Sequence, residues 1–213
     1  MHVIRNAFHS TDIFEEFADQ INNYNPSLVI DCGCGNNQWK GKINNLIGFD
    51  NNSQFRENYI NNPDYICSYL EFDKFVQNNS ADFCFCLGSM HSAEDMSKEL
   101  DLVYKWLKPG GKIIMRVRAD EDDDSVYAWN LNKIHDITNK YNYKIIKPIE
   151  HTKMLLNQLN EQDFKWISTN KAINKKHHRR SSVETETSNR STGQNKDNIF
   201  KSWFIWWWEK QYD

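Results

Sequence analysis

An α/β fold with a doubly wound, mostly parallel sheet of seven strands is predicted by three features of this 213-residue chain. Short apolar runs ending in an acid or a glycine turn lie at residues 28–35, 46–50 and 82–87, as expected of strands buried on both faces. Stretches with apolar residues at helical spacing alternate with such runs, which favours βαβ units over a sheet of hairpins. The chain then closes with two further strand-like runs, the last one dominated by tryptophan.

Taken in order, residues 1–24 are expected to hold an amphipathic helix. Ser10 or Thr11 caps it, and Ile13, Phe14, Phe17, Ile21 and Tyr24 recur at helical spacing. Asn25-Pro26 ends it. The first strand, Leu28-Val29-Ile30-Asp31, runs into Cys32-Gly33-Cys34-Gly35-Asn36-Asn37. Two glycines spaced by one let the backbone bend sharply and leave room for a ligand, since no Cβ intervenes. The link to the second strand is short, with Gly41 in its middle, so the first crossover helix is expected to be stunted. The second strand ends in Asp50, close to the roughly 20-residue offset at which an acid meets a ribose in nucleotide-binding units.

A third, weaker strand is expected around residues 64–67, followed by Ser68-Tyr69-Leu70. The fourth, residues 83–87, leads into Gly88-Ser89-Met90-His91-Ser92. Ser92 and Asp95 have capping-box spacing, and Met96, Leu100, Val103 and Leu107 share one helical face. Pro109-Gly110-Gly111 stops that helix and begins the fifth strand. The acidic run at 120–124 precedes a helix carrying Val126, Trp129, Ile134, Ile137 and Tyr141. Its charge suits a helix N-terminus; a divalent cation is the second reading, although one loop alone supplies the oxygens. Residues 143–149 and 200–208 read as the sixth and seventh strands. Between them lies an insertion, about 151–198, with helix-like spacing at 154–167 and then a polar run containing Lys175-Lys176-His177-His178-Arg179-Arg180. That composition buries too little apolar surface to offset ordering entropy, so a mobile loop is expected.

The Asp-Cys-Gly-Cys-Gly turn, the strand ending in Asp50, the Ala-Asp-Phe-Cys-Phe-Cys-Leu strand and Leu-Lys-Pro-Gly-Gly-Lys, in this order, together resemble the class I S-adenosylmethionine-dependent methyltransferases. Asn37 stands where the usual pattern has a third glycine, and Asn tolerates positive φ better than other side chains. The resemblance implies a single Rossmann-like domain over 1–213 whose last strand is antiparallel, with S-adenosyl-L-methionine as cofactor. It also implies that Asp31 and the Cys32-Gly33-Cys34-Gly35 turn contact the methionine end, Asp50 and Asn51 the ribose, and the Leu87 and Gly88 backbone the amino group. Adenine contacts fall to Ser68, Tyr69 and Leu70, because the acid usual there is missing. His91, in the loop where donor and acceptor meet, is the candidate general base, as imidazoles titrate near neutrality.

A net charge of −3 names no nucleic-acid or membrane partner. No run approaches the roughly 18 apolar residues of a membrane span, and no signal-peptide core is present, so a cytoplasmic location is the default expectation. The five cysteines agree with a reducing compartment. Their Cys-x-Cys pairs are narrower than zinc spacings on turns, so no metal is expected. Against the family's nucleic-acid motifs, no Pro-Pro-aromatic run of base-amine enzymes follows the fourth strand, no Pro-Cys pair of cytosine-C5 enzymes exists, and no Asp of ribose 2′-O enzymes stands at Gly88-Ser89, so no DNA motif is present. A small-molecule methyl acceptor is favoured. RNA or protein engaged through the basic 171–196 segment is the alternative. An NAD-dependent oxidoreductase would want glycine at Gln38, and a non-catalytic nucleotide-binding module would share the fold.

Overall fold

The computed structural model describes residues 2–6, 15–51, 61–90, 96–119, 129–155 and 199–212. Nine described strands form one sheet: β1 (His2–Asn6), β2 (Val29–Cys32), β3 (Leu46–Asp50), β4 (Tyr65–Ile66), β5 (Ala81–Leu87), β6 (Leu107–Arg118), β7 (Tyr143–Ile145), β8 (Ile149–Leu155) and β9 (Ile199–Lys210). Four described helices accompany them: α1 (Glu15–Asn22), α2 (Tyr69–Phe72), α3 (Met96–Trp106) and α4 (Leu131–Lys140). The strand order is β1-β8-β9-β6-β5-β2-β3-β4, with β7 also paired to β9. Strand β9 runs antiparallel to β6, β7 and β8, and the other pairs are parallel. The carboxyl ends of β2, β3, β4 and β5 therefore lie side by side on one edge, where open α/β sheets bind ligands.

Side chains alternate across the sheet as the pleat requires. Ile30, Cys84, Ile113, Met115, Trp206 and Trp208 face the layer containing α3 and α4. Val29, Phe83, Phe85, Ile114 and Trp207 face α1. The tryptophans of β9 thus cover both faces of the sheet. Each removes roughly 200 Å² from water, worth about 5 kcal/mol before ordering costs. The Trp208 indole also donates to the Thr138 hydroxyl at 2.8 Å, and Thr138 in turn donates to the Ile134 carbonyl at 2.6 Å.

Four features differ from the sequence expectation. The N-terminal stretch is not simply a helix: β1 adds a parallel edge strand beside β8, α1 is described over Glu15–Asn22, and Ser10, Thr11, Ile13 and Phe14 lie outside the described residues. Val3 and Ile4 are β-formers, but a run this short shows no period of its own. The expected sixth strand is two segments. Ile145 pairs with Trp208 and Glu150 with Ile205, so the β7–β8 side carries two extra residues at Pro148, which has no N–H for the ladder. Helix α4 begins later than expected, because the Asn130 side chain caps it by accepting from the Lys133 amide at 2.9 Å. The helix expected from residue 154 is strand at Met154 and Leu155, and its remainder lies outside the described residues.

The stunted first crossover appears as expected: residues 33–45 form only turns and an isolated bridge. Trp39 and Ile43 fill the space a helix would occupy, each 5% exposed. Leu155 pairs with Ile199, so β8 ends and β9 begins at the carboxyl edge. The basic segment 171–196 and the acidic run 120–124 lie outside the described residues. No described helix is long and apolar enough to cross a membrane.

The end of β9 is fastened by Lys210, which is 6% exposed. Its ammonium donates to Asn79 Oδ1, the Tyr104 carbonyl and the Leu107 carbonyl, each at 3.0 Å. The Tyr104 carbonyl lies in the last turn of α3, where a cation is favoured by the helix dipole, and the Leu107 carbonyl opens β6. Lys210→Met should leave buried acceptors unpaired and lower stability by about 2 kcal/mol. Urea denaturation checks this, and an unchanged midpoint would remove Lys210 from the account.

Candidate functional site

The glycine turn is built by backbone bonds to β3. The Gly33 and Cys34 amides both donate to the Phe49 carbonyl, at 2.9 and 3.0 Å. One residue on, the Gly35 amide donates to Asp50 Oδ2 at 2.9 Å. Gly33 has φ +68° and Gly35 φ +53°, a region costly for side chains with a Cβ. Space separates their roles. A Cβ on Gly33 would lie 2.4 Å from the Ser89 Cβ, whereas one on Gly35 would meet nothing within 4 Å among the described residues. The turn is packed shut toward β5 and open above Gly35.

Asn37 adopts φ +47° and is fully buried. Its amide nitrogen donates to the Asn62 carbonyl at 2.9 Å, so it fixes the approach to β4 as well as the turn. Asp64 is a supporting residue the sequence reading missed. It accepts from the Gly48 amide at 2.9 Å and from the Lys40 ammonium at 2.5 Å. Burial raises its pKa, but the Gly48 amide and Lys40 outweigh this and hold it below the usual carboxylate value. An acid one residue ahead of a strand was the available signal.

Two predicted acids meet at this edge. Asp31, on β2, is 3% exposed, and among the described residues no donor bonds its carboxyl. Burial, and secondarily the charge of Asp50, push its pKa up to about 7. Asp50 ends β3 with its carboxylate on the Gly35 amide, and exposed Asn51 follows it. Cys32 is fully buried and Cys34 nearly so; burial is the main cause of the upward shift in both thiols. Among the described residues no three His, Cys, Asp or Glu side chains converge to hold a metal.

At the end of β4, Ser68 is the N-cap of α2 rather than a vacant acceptor. Its hydroxyl accepts from the Glu71 amide at 3.3 Å, and Glu71 Oε2 accepts from the Ser68 amide at 2.9 Å. Tyr69 is buried, its ring parallel to Trp106 and perpendicular to Phe49, which leaves it little surface for a ligand. Leu70 is 70% exposed. Half-buried Leu87 ends β5, and Gly88 follows with φ +104°. The strand order thus lines up Leu70, Asp50, the Gly33 and Gly35 turn, and Gly88 along one edge. His91, the candidate base, lies outside the described residues.

Residues 30–115 match the methyltransferase domain family, a span that runs from β2 through the glycine turn and Asp50 into β6. No curated protein matches the sequence. Among solved structures, the YcgJ protein of Bacillus subtilis is similar with a TM-score of 0.58 at 13% identity, over 95% of this chain and all of that one. The phosphoethanolamine N-methyltransferase 2 of Haemonchus contortus, in complex with S-adenosyl-L-methionine, gives 0.56 at 17% identity, over 92% of this chain and 53% of that one. The [4+2]-cyclase SpnF gives 0.58 at 11% identity, over 93% and 81%. The last of these shows that the architecture also serves other chemistry. The matched span is less than half of the chain, and it is the part that carries β2, the glycine turn and Asp50.

Proposed function

We propose that the carboxyl edge of β2, β3, β4 and β5 holds S-adenosylmethionine and that the enzyme methylates a small-molecule acceptor. The observation that carries this reading is the opening above Gly35, flanked by Asp50 on its amide and by the buried Asp31. When bound, the cofactor supplies an electrophilic methyl group on a sulfonium. The residues do the positioning, which must bring an acceptor atom to about 3–3.5 Å and in line with that carbon.

Asp31 and the turn from Cys32 to Gly35 are assigned to the methionine end. Asp50 and Asn51 are assigned to the ribose, Leu70 and the Ser68 backbone to the adenine, and the Leu87 and Gly88 backbone to the amino group. A carboxyl that burial has pushed up to about 7 suits a cationic ligand, because a nearby positive charge restores its ionised form. His91 is retained as general base for any acceptor that must lose a proton. The small-molecule choice rests on the modest net charge and on the phosphoethanolamine named for one relative. Five free cysteines support a reducing, cytoplasmic setting. Engagement of RNA or protein through 171–196 is the second reading for the acceptor, and labelled methyl donor incubated with fractionated cell extract decides between them by the fraction that takes up label.

Asp50→Ala should weaken S-adenosylhomocysteine binding about 100-fold by calorimetry, since charge-assisted bonds are lost. Unchanged affinity, or preference for NAD, would overturn the assignment. The pH dependence has a definite sign. A folded pKa raised from 3.8 to about 7 gives stability that is complete below the ordinary carboxylate range and is lost as pH rises through 7. A ligand that favours ionised Asp31 should therefore bind more tightly as pH rises from 6 to 8. The rise should be absent in Asp31→Asn; an identical rise in that variant would free Asp31 of the role.

A further inference from the structure

Tyr69 and Ser89 close a circuit of contacts around the site. The Tyr69 hydroxyl lies 3.0 Å from the Ser89 hydroxyl, in a hydrogen bond. The Tyr69 ring meets Phe49 edge-on, with centroids 4.9 Å apart. The Phe49 carbonyl holds the Gly33 and Cys34 amides. Ser89 returns to the start, because its Cβ occupies the space a Cβ on Gly33 would need. The circuit ties together the ends of β2, β3, β4 and β5. Its tyrosine is rigid: the ring is 8% exposed and lies parallel to Trp106 at 6.2 Å. Burial also pushes the phenol well above its ordinary pKa, so it keeps its proton across the physiological range.

We propose that Tyr69 is a positioning residue that sets the Gly88-Ser89 backbone, through its hydroxyl bond to Ser89, for the amino-acid arm of the cofactor. This rests on the reading above, in which that backbone meets the amino group. Tyr69 lies within the segment assigned to adenine, between Ser68 and Leu70, yet its hydroxyl meets Ser89 in the loop after β5. Its effect therefore falls on the far end of the ligand from the one its sequence position suggests. The neighbour it acts on is already pressed against Gly33, so a loosened Ser89 disturbs both sides of the arm together.

Two probes separate this from a general packing role. S-adenosylhomocysteine carries the amino-acid arm, and 5′-methylthioadenosine is the same adenosyl thioether without it. Tyr69→Phe keeps the ring and removes only the hydroxyl. It should weaken S-adenosylhomocysteine about fivefold and leave 5′-methylthioadenosine unchanged. Ser89→Ala should do the same, and the double variant should be no weaker than either single one, as expected of partners in one bond. Equal weakening of both ligands, or additive losses in the double variant, would overturn the proposal. So would a Tyr69→Phe variant with unchanged affinity for S-adenosylhomocysteine. A wild-type protein that binds neither probe would instead refute the cofactor assignment, and the positioning role would fall with it.

Discussion

Two amides share one carbonyl at the centre of this molecule. Gly33 and Cys34 both donate to Phe49, and this locks the turn after β2 onto the end of β3. Everything the site offers follows from that register. It brings the Gly35 amide onto the Asp50 carboxylate, places Asp31 in the interior two residues before the turn, and leaves the space above Gly35 open. The geometry tolerates no Cβ on its β5 side, where Ser89 already stands against Gly33. The turn is thus determined by three strands at once, which is how a short loop without a following helix keeps a defined shape.

The missing crossover helix makes the other contacts intelligible. A helix after the glycines would ordinarily fill the face of the sheet and offer its N-terminus to an anion. Here Trp39 and Ile43 supply the filling, and side chains supply the fastening. Asn37 holds the Asn62 carbonyl, while Asp64 holds both the Gly48 amide and Lys40. Gly48 makes room for this: a Cβ there would lie 2.7 Å from Asn37 Oδ1 and 2.9 Å from the Cys34 sulfur. Polar side chains separated by tens of residues replace the continuous hydrogen-bond ladder of a helix.

Much of this was legible in the sequence because it is local. Apolar runs ending in Asp31, Asp50 and Leu87 have the period and length of buried strands, and the structure has β2, β3 and β5 there. The left-handed turn at Asn37 followed from its side chain, although its bond to Asn62 is a long-range event that no spacing announces. Strand β1 was missed because five residues gain their meaning only from β8, far along the chain. Ser68 shows the opposite failure. Glu71 three residues later is capping-box spacing, and the polarity of Ser68 drew attention to a ligand before its own helix. Tyr69 was expected against the adenine, and its place against Trp106 and Phe49 depends instead on α3 and β3 meeting over it, which no local spacing announces.

The central claim is that the glycine turn and the carboxylate closing its neighbour strand grip the two ends of one adenosyl ligand. A crystal structure of the complex with S-adenosylhomocysteine tests it most directly. The account predicts ribose hydroxyls on the Asp50 carboxylate, and the amino-acid arm crossing Gly33 and Gly35 toward Gly88. A ligand seated at the opposite edge of the sheet, or one whose ribose leaves Asp50 untouched, would contradict it.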